Sequence, residues 1–334
     1  MIARPARVTH TARMPRDLDD ALARFGAWVG SDVVGSTRPA AGFSAQTLLV
    51  DLADGSRVVL KLPPEGEGIF PAYDFGVQAA VQGAVAAAGV PAPAPATAVD
   101  DADVLGVPFL VMPLVEGHVI DEVPLQDRWL ADGAASVHEQ YVDVLAAIHG
   151  CSGTGTGAPA RDNAAELAHW REYLDWYGDG AVLAPALVDA LAWCSAHRPA
   201  SEPAPALLWG DVRLGNAVWS EERRLLAVLD WEMATVGAPE HDLAWTLALE
   251  GIQSTLFGRT VPGFLDRAGA IARYSAAAGR PVQDIDWYET FALVRSTAIM
   301  TRVGWLQERA GRPVMLPLAG NPILDILVRR LEVA

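Results

Sequence analysis

The chain has 334 residues, 51% hydrophobic and 20% charged, with a formal net charge of −16. That is enough sequence for two lobes with their own cores, and it excludes a disordered or fibrous protein. The acidic balance argues against a nucleic-acid partner, which selects a basic stripe, and no apolar run is long enough to cross a membrane, since Ala84 to Val99 is broken by Pro91, Pro93 and Pro95.

The first sixteen residues carry four Arg and no acid, but with no continuous apolar core they read as a frayed leader, not a secretory signal. Asp17 to Trp28 has the apolar spacing of a helix, with acidic residues where the helix dipole favours them. Pro39 to Thr47 then forms a loop into a strand at Leu48 to Leu52. In that loop Gly42 permits close backbone approach and Ser44 offers a hydroxyl and an amide, as a phosphate-covering loop requires. Asp54-Gly55 is a hairpin turn, and the alternating strand after it, Ser56 to Leu62, ends on Lys61-Leu62. The composition makes Lys61 conspicuous, because the chain holds 24 Arg and this one Lys. A compact ammonium fits between phosphate oxygens where a planar guanidinium is too wide, so a retained lysine points to phosphate chemistry.

An apolar helix is expected over Tyr73 to Ala88 and a buried strand over Val107 to Val115, with Gly117 marking the crossing into a second lobe. Beyond it the pattern turns helical: Ser136 to His149, Asn163 to Tyr177, Val182 to Ala196, Asp242 to Gly251, Pro262 to Ala277 and Asp284 to Leu306, most of them separated by Pro/Gly clusters. The glycine-rich stretch Gly150 to Gly157 follows a helix and runs into Ala-Pro, so it reads as a connection and not a dinucleotide fingerprint. Cys151 and Cys194 have neither metal-ligand spacing nor the density of a disulfide scaffold, which fits a cytoplasmic protein.

The densest chemistry lies between Leu207 and Glu232. Gly210 and Gly215 bracket an irregular stretch containing Asp211, with Asn216 just beyond it, and the apolar run Leu225 to Leu229 reads as a buried strand that delivers Asp230 to its exposed end. An Asp followed five residues later by an Asn, then a second Asp after a strand, is the spacing of ATP-dependent phosphoryl transfer. Asp211 is the expected catalytic residue, which orients the acceptor hydroxyl, and Asn216 and Asp230 are the expected Mg²⁺ ligands.

With those residues in place the chain resembles the aminoglycoside phosphotransferase and choline kinase-like superfamily. The resemblance is carried by GFSAQTLLV, VVLKLP, GIFPAYDFGVQ, PFLVMPLVEG, LAAIHG, WGDVRLGN, VLDWEMA and PEHDLAW, and it looks closest to the phosphotransferase domains joined to acyl-CoA dehydrogenases. It implies an α+β, bilobal, protein-kinase-like fold: a small β-rich nucleotide-binding lobe over residues 1–115 and a larger, mainly helical lobe with the catalytic loop and substrate site over 116–334. It implies ATP or GTP as co-substrate, held by Lys61 with Gly42, Ser44, Gln78, Met112 and Leu114, and Asp242 as a brace for the catalytic loop. The expected partner is a small-molecule hydroxyl acceptor. Trp170, Trp176, Trp287 and Trp305 are candidate walls for an acyl chain, or ordinary core residues.

Two positions depart from the family pattern. Trp209 stands where a His usually precedes Gly-Asp, and an indole has one N–H in place of two ring nitrogens. Gln78 stands where a helix Glu pairs with the lysine, and a neutral amide supplies no countercharge. These departures motivate an alternative, a nucleotide-binding pseudokinase or regulatory module without turnover.

Overall fold

The computed structural model describes residues 8–9, 18–39, 44–121, 123–178, 184–314 and 321–333. The chain divides into two compact units, one of Met1–Glu116 with Gly155–Gly157, the other of Gly117–Thr154 with Ala158–Ala334. The architecture is α+β, with an antiparallel sheet in the first unit and mostly helices in the second.

In the first unit β1 (Val8–Thr9) pairs with β5 (Ala72–Tyr73), so this part of the expected leader is a short strand; the rest of it lies outside the described residues. The main sheet has the order β2 (Val33–Thr37), β3 (Gln46–Leu52), β4 (Arg57–Leu62), β7 (Phe109–Pro113), β6 (Thr97–Val99), all antiparallel. Successive strand side chains alternate between faces, and the sequence uses both. Leu48, Val50, Leu60, Leu62 and Phe109 pack with Ala21, Leu22 and Phe25 of helix α1 (Leu18–Val29). Leu110 and Met112 face the other way, into a cluster with Phe75 and Ala79 of helix α2 (Phe75–Ala87). The expected start of α2 at Tyr73 moves two residues on, because Tyr73 belongs to β5 and Asp74 caps the helix by accepting from Val77 N at 3.0 Å. A short helix α3 (Ala102–Leu105) packs on α1 and leads into β7.

The second unit opens at Gly117, where a Cβ would come within 2.5 Å of Trp219 O. Glycine is required there because β8 (His118–Val119) lies directly against β10 (Ala217–Trp219), which pairs in turn with β11 (Leu225–Val228). A second ladder joins β9 (Ala206–Leu208) to β12 (Thr235–Gly237). The helices are α4 (Ala134–His149), α5 (Asn163–Gly178), α6 (Pro185–Ala196), α7 (Glu240–Phe257), α8 (Arg267–Ala278), α9 (Ile285–Arg309) and α10 (Pro322–Val333). The last of these was not anticipated, and α8 starts five residues later than expected, after Asp266, which caps it through Gly269 N at 2.7 Å. The pairs α7–α9 and α4–α8 are in extensive contact. No described helix is long and apolar enough to cross a membrane.

His241 of α7 is 3% exposed among Trp287, Tyr288 and Phe291 of α9, and its Nε2 lies 2.8 Å from Asn163 Oδ1. Burial pushes the imidazole down to about 4, and the Arg295 charge acts in the same direction, against Glu166 and Asp242. The folded state therefore stays neutral at His241 while the unfolded chain takes a proton near the ordinary value of 6.5. Stability is complete above that value and declines as pH falls toward about 4. Urea unfolding of wild type and His241→Gln at neutral pH and near pH 4.5 is expected to show a smaller acid loss in the variant.

Candidate active site

The segment expected to be catalytic is held by strand pairing at both ends. Asp211 lies between β9 and β10, Asp230 lies between β11 and β12, and the ladders join β9 to β12 and β10 to β11. The two loops therefore start and finish side by side. Gly210 allows the turn into the first, with φ +90 and a position where a Cβ would meet Met233 O at 2.2 Å. The stretch expected to be irregular closes with one 3-10 turn, Leu214–Asn216.

The Asp211 carboxylate is gripped from both sides. Oδ2 accepts from Arg213 Nε at 2.8 Å and Asn216 Nδ2 at 2.7 Å, and Oδ1 accepts from Trp245 Nε1 at 3.3 Å. Asn216, 5% exposed, spends its amide N–H groups on Asp211, the second on the backbone O at 3.0 Å. Its Oδ1 therefore points away from that carboxylate. Asn216 O in turn accepts from Leu229 N at 2.8 Å, and Trp209 Nε1 donates to Leu229 O at 2.8 Å. With both polar groups of Leu229 tied, Asp230 follows at φ 61, a left-handed conformation uncommon outside glycine and typical of functional turns. Among the described residues no cluster of three or more His, Cys, Asp and Glu could hold a metal. An Asn oxygen and an Asp carboxylate at one end of a hairpin instead match magnesium, which takes few protein ligands and keeps water and phosphate oxygens.

Behind the loop, Asp242 is 1% exposed and fully engaged: Oδ2 accepts from Trp209 N at 2.7 Å and from His149 Nε2 at 3.1 Å, and Oδ1 from Gly210 N at 3.0 Å. Since Nε2 donates, His149 Nδ1 accepts from Tyr274 OH at 2.6 Å, whose phenol burial pushes up to about 12. Trp209 packs against Tyr141 and Trp231 with ring centroids 6.2 and 6.1 Å apart.

In the first unit Lys61 is 7% exposed, opposite Thr47 on β3 and Leu110 on β7. Its neighbours Leu60 and Leu62 face α1, so alternation sends Lys61 to the face of Leu110, Met112 and α2. Gln78 is buried on that helix, and its Oε1 has no hydrogen-bond partner. Met112 Sδ accepts from Gln82 Nε2 at 3.4 Å, Leu114 N donates to Arg57 O at 3.0 Å, and Ser44 O accepts from Tyr73 OH at 3.0 Å. Gly42 lies outside the described residues.

Sequence reasoning gave no role to Arg213, Trp245, His149 or Tyr274; Arg213, His149 and Trp245 lie in stretches that stood out, WGDVRLGN, LAAIHG and PEHDLAW, and Tyr274 does not. Of the four tryptophans considered as acyl-chain walls, Trp170 and Trp287 are buried, with their N–H groups donated to Glu166 Oε1 and Cys194 O. Trp176 and Trp305 both stack on the Arg302 guanidinium, at 4.7 and 4.5 Å.

A family model described as "Phosphotransferase enzyme family" matches residues 36–287. Over 199 residues the chain is 30% identical to acyl-CoA dehydrogenase family member 11 of Gallus gallus, a match covering 57% of this chain and 25% of that protein. The fold is similar to a Ralstonia eutropha JMP134 structure assigned as an aminoglycoside phosphotransferase, at TM-score 0.70 and 21% identity over 96% of this chain and 99% of that one. It is also similar to an APH(2″) phosphotransferase solved with GDP and kanamycin, at TM-score 0.58 and 14% identity over 95% and 98% of the two chains. With a family model that covers Lys61, the Asp211 loop and Asp230 alike, this chain belongs to the phosphotransferase enzyme family.

Proposed function

We propose that the protein is a Mg-dependent kinase that moves the γ-phosphoryl group of ATP or GTP to a hydroxyl of a small molecule. The observation that carries this reading is the fixed Asp211 carboxylate, held by three donors in the loop that also presents Asn216. In this reading Asp211 receives the acceptor hydroxyl's hydrogen bond and orients its oxygen for in-line attack. Asn216 Oδ1 and Asp230 hold magnesium, which when bound neutralises charge on the phosphates. Lys61 binds phosphate oxygens in the first unit, and Ser44, Gly42, Met112 and Leu114 contribute the remaining nucleotide contacts.

For the acceptor, a hydroxylated acyl thioester is favoured over an aminoglycoside. The chain is 30% identical to a protein named acyl-CoA dehydrogenase family member 11, of which it spans a quarter, whereas the two phosphotransferase structures share the fold at 21% and 14% identity. The net charge of −16 favours a cationic acceptor and is the observation on the other side. A nucleotide-consumption screen of the protein against hydroxyacyl-CoAs, aminoglycosides, macrolides and choline-like amines tests the reading, and hydroxyacyl-CoA turnover is the expected result. The second reading, a nucleotide-binding pseudokinase, draws on Gln78, which brings no countercharge to the face of Lys61.

Mg²⁺ and ATP together are expected to raise Tm, because a ligand bound only by the folded state stabilises it. In Asp230→Ala the metal-dependent part of that rise should vanish; an unchanged titration removes Asp230 from the role. Lys61→Arg keeps the charge and matches every other cation in the chain, yet nucleotide affinity or turnover should fall, as measured by calorimetry and steady-state kinetics. Asp211→Asn separates the two readings. A kinase loses about 10²- to 10⁴-fold in transfer while Mg-ATP binding persists; a pseudokinase transfers nothing even as wild type.

A further inference from the structure

Helix α9 carries a charge where proteins seldom place one. Arg295 is 4% exposed, and its Nε and Nη2 have no hydrogen-bond partner. Its ion pair among the described residues is with Glu166, 3.9 Å from Nη1 to Oε1. That carboxylate already accepts from Trp170 Nε1 at 3.0 Å and Arg161 Nη1 at 3.2 Å. A buried ion without close partners is costly, so some other interaction must hold it. Here aromatic faces surround the guanidinium: Trp245 at 4.6 Å, Trp170 and Phe291 at 5.8 Å. Trp245 is the nearest, well within cation–π range. The same indole donates its Nε1–H to Asp211 Oδ1.

We infer that Arg295 and Trp245 are a positioning pair for Asp211, in which the guanidinium polarises the indole from its face and the strengthened N–H fixes Oδ1. A cation over the ring draws electron density from the π-system and leaves the N–H more positive, hence a better donor to a carboxylate. With Oδ2 held by Arg213 and Asn216, a second anchor on Oδ1 stops the carboxylate from spinning about its own axis. The orphaned Nε and Nη2 follow from the same arrangement: close carboxylates there would neutralise the charge that the ring receives. Burial lowers the guanidinium's pKa, and Glu166, Asp242 and Asp211 oppose that shift, which places the catalytic carboxylate within its field. A plain core role for Arg295, cross-linking α9 to Glu166 of α5, predicts instead that the Trp245 N–H is indifferent to it. The inference rests on the kinase reading for its purpose, not for its geometry.

The test is the indole ¹⁵N–¹H spectrum of the folded protein, which needs no acceptor. Trp245→Phe assigns one of the 11 tryptophan resonances by its loss. That resonance is expected downfield, shifted upfield in Asp211→Asn and again in Arg295→Met. Should Arg295→Met not fold, Glu166→Gln asks the converse, since weakening the countercharge moves the resonance further downfield. A resonance that stays in place in Asp211→Asn, or in the folded Arg295 or Glu166 variant, overturns the pair. In Mg-ATP hydrolysis with water as acceptor, Trp245→Phe should lower kcat about tenfold, the worth of one charge-assisted hydrogen bond, with KM for ATP unchanged. A loss confined to KM also overturns it. If wild type turns over no nucleotide with water or with any acceptor of the screen, the kinase reading fails and the resonance still decides the pair.

Discussion

Everything at the candidate site hangs from the Asp242 carboxylate. It is almost wholly buried and would be expensive to desolvate alone, but two backbone N–H groups and an imidazole satisfy it. Those amides belong to Trp209 and Gly210, so the acid sets the exit direction of β9 and with it the place of Asp211. Removing one partner of such a buried charge costs about 3–5 kcal/mol, a large share of a domain's stability. The brace and the fold are therefore inseparable, and His149, with Tyr274 behind it, acts on the loop through this acid.

Trp209 shows how the family's histidine can be replaced. An imidazole there offers two nitrogens; the indole offers one, and spends it on Leu229 O. What is lost in hydrogen bonding is regained in packing, since Trp209 is fully buried between Tyr141 and Trp231. The indole also joins the two halves of the site, because Leu229 immediately precedes Asp230. Gln78 is a different kind of change. Its side chain carries no charge, and its buried Oε1 lacks a hydrogen-bond partner.

The sequence made the strand framework readable where alternation was clean. Leu48 to Leu52, the Asp54-Gly55 turn and the strand through Lys61 form the centre of the sheet, and alternation alone orients Lys61. β6 and β8 were not legible, because strands of three and two residues carry no period. Helix existence was clearer than helix ends, where single caps such as Asp74 and Asp266 decide. In the site, Asp211, Asn216 and Asp230 stand within twenty residues and announce themselves. His149 and Tyr274 meet across 125 positions, and Trp245 reaches Asp211 across 34. Contacts of that separation are products of tertiary packing, and no local pattern encodes them.

The solitary lysine has a consequence outside catalysis. Because arginine carries every other side-chain cation, Lys61 is the chain's one side-chain amine, and it sits at 7% exposure in the central strand. Acylation of side-chain amines, which in most proteins is spread over many surface lysines, has here one target, and that target is the residue facing α2. Protein labelled with isotopic lysine likewise yields a single side-chain amine signal. The chain thus carries a built-in reporter, free of overlap, in the middle of its main sheet.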